Sequence, residues 1–325
     1  MQIIDVKNLT KVYKYHEKEP GFMGSIKSLI NRKYEYNSAV NNISLKINKG
    51  EFVGVIGLNG AGKTTTLKML SGLLTPTSGT AIVWEEVPWE RSLRYRNKIS
   101  MVMGNKIQLI WDLPPMDYFG LLKDIYNISK NDFNNRVNKL SELLDVTDLL
   151  KVQTRKLSLG ERMKMELIGA TLHNPEILFM DEPTIGLDIF AQKNIRAFLR
   201  EYNKTYQATI LLTSHYLEDI KELCDRLIIL HQGVIIYDGK TIDIINSFSR
   251  YKYIKMKLKN AVTNGELELF GEITNQDDLE VTLRIDRERV PQTVANILEK
   301  FLVEDLNVEE LSMEDIISKV YSKDE

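Results

Sequence analysis

The sequence is poor in cysteine: its 325 residues include one, Cys224. A single thiol cannot close an intramolecular disulfide, which suits a cytoplasmic protein. Its setting, Leu223-Cys224-Asp225-Arg226-Leu227, marks it as a small core residue rather than a nucleophile. Long apolar runs are missing as well, and none approaches the ~18 residues of a membrane-spanning helix. Residues Met1 to Lys7 read as a strand and lack the apolar core of a signal peptide. Nor is there an excess of positive charge, since 43 Lys and Arg face 45 Asp and Glu for a net charge of −2. That balance hides an asymmetry. Residues 241–325 carry 11 cationic and 18 acidic side chains, whereas residues 1–240 carry 32 and 27. Neither part is basic enough to argue for nucleic acid. The length and the split predict two domains, 1–240 and 241–325.

Against these absences stands one dense stretch, Gly57-Leu58-Asn59-Gly60-Ala61-Gly62-Lys63-Thr64-Thr65. An apolar run, Phe52 to Ile56, leads in like a buried strand, and a helix-forming run, Thr66 to Leu70, leads out. This is the Gly-x4-Gly-Lys-Thr pattern of a phosphate-binding loop in its required context. Its glycines let the backbone wrap a polyphosphate and aim successive N–H groups inward. The helix that follows points its positive N-terminus at the same charge. Lys63 is placed to reach β- and γ-phosphates, and the Thr64 hydroxyl to ligate Mg²⁺. The stretch predicts binding of a nucleoside triphosphate.

Three further segments bear on chemistry. Leu157-Ser158-Leu159-Gly160-Glu161 puts an N-cap serine before a helix reaching about His173, and the helix start is an anion site. Ile177-Leu178-Phe179-Met180-Asp181-Glu182-Pro183 reads as a buried strand ending in two carboxylates. Its end is expected beside the phosphate loop of an adjacent parallel strand. Asp181 would then hold Mg²⁺ and Glu182 would serve the attacking water as general base or polarising group. Ile210-Leu211-Leu212-Thr213-Ser214-His215 is another apolar strand, ending in histidine. His16, His173 and His231 read as surface or structural residues.

Taken in order, these motifs resemble an ATP-binding-cassette (ABC) ATPase across residues 1–240. The resemblance implies an α/β P-loop NTPase core with a helical subdomain at about 105–160. Residues 241–325 would add a small α+β accessory domain. It also implies roles. Tyr13 would stack on adenine, with Tyr34 and Tyr36 competing for that place. Ser158 and Gly160 belong to the family signature, changed here at two positions, and would complete the ATP site of a second copy in a head-to-tail dimer. Thr184-Ile185-Gly186-Leu187-Asp188 matches the loop that joins subunits, and His215 would contact the γ-phosphate. The strand Ile99–Met103 should deliver a glutamine that senses γ-phosphate and Mg²⁺. Here Asn105 has the aligned position and Gln108 lies three residues on, so both remain candidates.

Trp111-Asp112-Leu113-Pro114-Pro115 and a basic amphipathic insert at 16–38 resemble the ATPases of ABC-2-type exporters, including the viologen-exporter-like set. That implies an ATP-hydrolysing subunit working through a separate membrane permease at the cytoplasmic face. The partner ATPase would be a second copy or a paired subunit. The insert reads as a short helix packed on its own domain, with lipid headgroups or a membrane partner as the other reading. The competing class is a soluble ABC ATPase of translation or DNA repair. There is one cassette, however, and only 94 residues lie between Lys63 and Ser158, too few for an inserted coiled coil. Elsewhere the patterns predict strands at 2–9, 40–47 and 80–84 and a basic helix around 90–98. Two helices should fill 116–150, with Asn-rich breaks near 131–135, and a hairpin should join 226–230 to 234–237. The last part should hold strands at 252–258, 266–273 and 279–285 and helices at 290–302 and 312–321.

Overall fold

The computed structural model describes residues 1–16, 34–249, 251–260 and 262–309. It divides into two units, Met1–Gly239 and Lys240–Glu325. The first begins with β1 (Gln2–His16), β2 (Tyr34–Asn48), β3 (Phe52–Ile56) and β4 (Ser78–Val83). It continues through β5 (Ile99–Met103), β6 (Ile177–Asp181), β7 (Thr209–Thr213), β8 (Arg226–His231) and β9 (Val234–Lys240). Two sheets result, an antiparallel one in the order β2-β1-β4 and a larger one in the order β5-β6-β7-β3-β8-β9. In the larger sheet β5 through β8 pair parallel. Every residue of β3, β6 and β7 is buried, as the interior of a parallel sheet covered on both faces requires. In β2 burial alternates instead from Ile43 onward, and its inward residues Val40, Ile43, Leu45 and Ile47 join Val53, Val55 and Phe179 in one core.

The first two strands are longer than their sequence pattern predicts. β1 runs to His16 and β2 starts at Tyr34, and the two ends pair, His16 with Tyr34 and Tyr13 with Asn37. Residues 34–38 are exposed, so this part of the ribbon shows no alternation of apolar and polar residues. The helical reading of the insert rests on Phe22, Ile26, Leu29 and Ile30, which lie outside the described residues; 34–38 are strand, not helix.

Helices sit between the strands. Lys63–Leu70 follows β3, and Pro115–Ile125, Lys130–Leu143 and Leu159–Thr171 lie between β5 and β6. The expected helix at 90–98 shrinks to Leu93–Arg96, capped by the Ser92 hydroxyl. Arg91 before it takes a left-handed φ of 54°, which stops the helix from starting earlier. The break between the next two helices also moves. Asn131, Asn134 and Asn135 lie inside Lys130–Leu143, and the chain turns at Asn127, with φ 50°, before Ser129 caps the second helix. A serine N-cap outranks mid-helix asparagine as a boundary because it satisfies an otherwise orphaned backbone N–H.

The second unit holds β10 (Tyr251–Leu258), β11 (Glu272–Asp277), β12 (Glu280–Asp286) and β13 (Val303–Glu309) in an antiparallel sheet ordered β11-β12-β10-β13. Ile254, Met256, Leu283, Ile285 and Ile297 of the Val290–Lys300 helix form its core. The strand expected at 266–273 is instead a short helix, Asn264–Leu267, followed by β11. β11 is largely exposed and its sequence lacks alternation. β13, for which the sequence patterns predict no strand, places two exposed residues after each partly buried one, so it too lacks the alternation of a half-buried strand. The helix expected at 312–321 lies outside the described residues. Among the described residues no helix is long and apolar enough to cross a membrane.

Candidate active site

The phosphate loop leaves the buried end of β3 and enters the helix at Lys63, with Gly62 as its N-cap. Gly62 has φ 101°, and a Cβ there would strike the Ala39 carbonyl, so only glycine serves. Lys63 is buried and folds back over the loop, donating to the Gly57 carbonyl at 2.7 Å and the Leu58 carbonyl at 3.2 Å. Burial pulls its pKa down, and the Glu182 and Asp181 carboxylates pull against that. These carbonyls hold the ammonium where an incoming phosphate would compete for it.

Asp181 ends β6, whose neighbour is β7 rather than β3. The expected direct adjacency of β6 and the phosphate loop is therefore corrected: one strand intervenes. The gap is bridged by the Lys63–Leu70 helix, because the Thr64 hydroxyl at its start donates to Asp181 Oδ2 at 2.9 Å and Oδ1 at 3.0 Å. From β7, the register partner Thr213 donates to Asp181 Oδ1 at 2.8 Å. A hydroxyl and a carboxylate are hard oxygen donors that fit Mg²⁺. Among the described residues no group of three or more His, Cys, Asp and Glu side chains could hold a metal. Mg²⁺ requires no such cage when substrate phosphates supply the remaining oxygens.

Glu182 follows with φ 55°, a left-handed conformation uncommon outside glycine. Its N–H donates to both the carbonyl and the hydroxyl of Thr213, each at 3.0 Å. Its carbonyl lies against Gly104, where a Cβ would collide with it. The carboxylate Oε1 lies 2.9 Å from His215 Nε2, both side chains being partly exposed. Lys63, Thr64, Asp181, Glu182 and His215 thus converge where β3, β6 and β7 end.

Tyr13 lines the cavity over the phosphate loop, together with Asn37, Ala39, Asn59, Gly60 and Glu182. Tyr34 and Tyr36 do not line it. Strand pairing explains why: Tyr36 sits opposite Lys14, on the other face of the ribbon from Tyr13. Lys14 Nζ lies 3.7 Å from the Tyr34 ring centre and 6.0 Å from that of Tyr36.

Neither candidate sensor lines that cavity. Asn105 is exposed on a tight turn in which Lys106 N–H donates to the Met103 carbonyl at 3.0 Å. Gln108 donates its side-chain amide to the Met101 carbonyl at 2.8 Å. Ser158 caps its helix in a full capping box with Glu161, and Gly160 packs where a Cβ would meet Ala191. That helix ends at Thr171, two residues short of the expected His173.

Several residues at the site are not readable from motif spacing. Asp219 is fully buried and accepts from Arg196 at 3.0 Å, Ser214 at 2.7 Å and Thr184 at 2.5 Å. It thereby fastens the start of the Thr184–Asp188 loop to the segment that carries His215. Thr213 and Gly104 act through contacts between strands far apart in sequence. No local sequence signal marks Thr213, whose role follows from its register beside Asp181.

A family model described as "ABC transporter" matches residues 40–185. A second, described as "EvrA-like ABC transporter, C-terminal domain", matches residues 250–309. The ABC transporter ATP-binding protein NatA of Bacillus subtilis is 35% identical over 204 residues, 62% of this chain and 81% of that protein. The linearmycin resistance ATP-binding protein LnrL of the same organism is 29% identical over 260 residues, 79% of this chain and 83% of that protein. Import ATP-binding proteins for sulfate/thiosulfate and for methionine are also among its relatives. A solved dimeric structure of a bacterial ABC transporter cassette superposes with a TM-score of 0.60 at 25% identity, covering 73% of this chain and 98% of that one.

Proposed function

The chain belongs to the ABC transporter family and is an ATP-hydrolysing transporter subunit, and from that premise we propose that it powers an ABC-2-type exporter of the viologen-exporter-like kind through a separate membrane permease. The convergence of Lys63, Thr64, Asp181, Glu182 and His215 carries the reading of the site. In it Lys63 exchanges the Gly57 and Leu58 carbonyls for the β- and γ-phosphates, and the loop from Gly57 to Thr65 cradles them. Thr64 and Asp181 would hold Mg²⁺, which neutralises charge on the phosphate oxygens when bound. Glu182 accepts the proton of the attacking water. His215 orients Glu182 and contacts the γ-phosphate, while Tyr13 stacks on adenine. Asn105, or Gln108, senses the γ-phosphate and Mg²⁺. Ser158 and Gly160 of a second ATPase subunit close the site, and the pair sits at the cytoplasmic face of the membrane.

The direction of transport rests on different support. Trp111–Pro115 resembles the corresponding segment of exporter ATPases, and the LnrL relative is named for resistance. An importer is the second reading, favoured by the import proteins among the relatives. The full chain, used as bait on detergent-solubilised membranes, should retrieve a polytopic membrane protein. The reconstituted pair should move substrate from the ATP-exposed side, and Lys63→Ala should keep the partner but abolish turnover. Uptake in the opposite direction would make it an importer. Retrieval of ribosomes or DNA in place of a membrane protein would return it to the soluble class.

A further inference from the structure

The loop that follows β5 is exposed from Asn105 to Gln108 and contains no helix or strand, yet its path is held at both ends. At its start, Gly104 N–H donates to the Asp181 carbonyl at 2.8 Å. At its end, the N–H groups of Gln108 and Leu109 both donate to one atom, Glu166 Oε1, at 2.5 and 2.9 Å. Glu166 lies in the middle of the Leu159–Thr171 helix, the one capped by Ser158, and is buried. A buried carboxylate is costly unless fully used, and an alanine or leucine would fill this helical position without that cost. One turn earlier on the same helix face, the Arg162 guanidinium lies 4.9 Å from the Trp111 ring centre. The segment 108–111 is therefore fastened twice to the helix that begins at the signature.

We propose that Glu166 is the positioning residue of the 104–109 loop, gripping its backbone so that Asn105 is presented to Mg²⁺ and the γ-phosphate. The proposal rests on the reading of this loop as the γ-phosphate sensor. The geometry accounts for the departure at Asn105. A side chain one methylene shorter than glutamine can act only if its backbone is held in place, and the grip at Gln108 and Leu109 leaves three residues, Asn105 to Ile107, between it and the anchor at Gly104. Burial raises the Glu166 pKa while the two N–H donors work against that rise. The carboxylate also reaches the neighbouring Pro115–Ile125 helix: burial first, and Glu166 next, push the Tyr118 phenol up to about 12.

The test measures ATP hydrolysis by the full chain with its permease across a Mg²⁺ titration, alongside nucleotide binding without Mg²⁺. Glu166→Ala should raise the Mg²⁺ concentration for half-maximal activity by about tenfold or more, the scale of losing an outer-shell partner. Its Mg²⁺-free ATP affinity should stay within about twofold, since the phosphate loop is untouched. Glu166→Gln keeps an acceptor oxygen at the same reach and should restore most of the Mg²⁺ response. Combined with Asn105→Ala, Glu166→Ala should add little, because both remove one contact. If Glu166→Ala folds poorly, Glu166→Leu, which fills the helical position without an acceptor, carries the same titration and the same cycle with Asn105→Ala. An unchanged Mg²⁺ requirement in Glu166→Ala, or additive losses with Asn105→Ala, would overturn the proposal while leaving the ATPase reading intact. Absence of Mg²⁺-dependent hydrolysis in the wild-type chain would overturn both.

Discussion

At Glu182 the chain holds a side chain in a conformation that costs a non-glycine residue about 1–3 kcal/mol. The cost is offset by two hydrogen bonds to Thr213 and by the gap left at Gly104. The backbone is thus bent to bring the carboxylate to His215. Glu182→Gln keeps the shape and removes the basicity. ATP and Mg²⁺ should still bind, and hydrolysis should fall by at least ~10²-fold, the scale of losing a general base. Single-turnover hydrolysis at the wild-type rate would dismiss Glu182 as the base. The carboxylate pair was legible because an apolar run ending in Asp-Glu has a meaning local to a few residues. Its supports were not. A left-handed glutamate, a glycine chosen for a carbonyl 78 residues away and a threonine on the next strand leave no local pattern.

At the scale of elements, β3, β6 and β7 were readable from apolar runs because these parallel strands are buried on both faces. Their order was not, since nothing in a single run of residues tells which strand lies beside it; hence the expected adjacency of β6 to β3. Exposed elements were read least well, as the far end of β1 and β2 and the strand β11 illustrate. The 104–109 loop is of this kind, and two alanine variants separate the two candidates for the proposed sensor. The Gln108 amide is engaged with the Met101 carbonyl, so Asn105→Ala should impair ATPase activity and Gln108→Ala should leave it nearly unchanged. Asn105→Gln should be tolerated, and the reverse ranking would give the role to Gln108. His173, just after the signature helix, offers a pH test. It stacks on Tyr126 with ring centres 3.8 Å apart, and its Nε2–H donates to the Ile99 carbonyl at 3.1 Å. Burial lowers its pKa to about 4 against the pull of that carbonyl, with Arg136 adding to the lowering. The folded state therefore resists protonation that the unfolded chain accepts near 6.5. Its contribution is whole above that pH and is lost as pH falls toward about 4, by up to about 3 kcal/mol. Urea melts at pH 7 and pH 4.5 should show a steeper loss in the wild type than in His173→Gln. Parallel losses would refute the assignment.

At the scale of the whole molecule, every residue assigned to the nucleotide lies in one compact unit. The phosphate loop, Asp181, Glu182, His215 and the Ser158 helix all precede Gly239, where that unit ends. The second unit has its own apolar centre, built from Ile254, Met256, Leu283, Ile285 and Ile297. A unit with its own core can fold alone when few contacts cross its boundary. The charge asymmetry in the sequence points to the same region of the chain, because two surfaces of opposite sign belong naturally to two bodies. What the second unit does had no such signature, since none of its residues forms a motif with a chemical meaning of its own. A chain ended after Gly239 should therefore stay soluble, melt in one cooperative transition and bind ATP with an affinity within about threefold of the full chain, a change of less than 1 kcal/mol. Calorimetric titration and a circular-dichroism melt measure both properties. If the shortened protein binds ATP normally but no longer retrieves the permease or pairs with a second copy, residues 240–325 serve assembly. Insoluble protein, or soluble protein without ATP binding, would mean that those residues complete the first core and that the boundary at Gly239 is not one of folding.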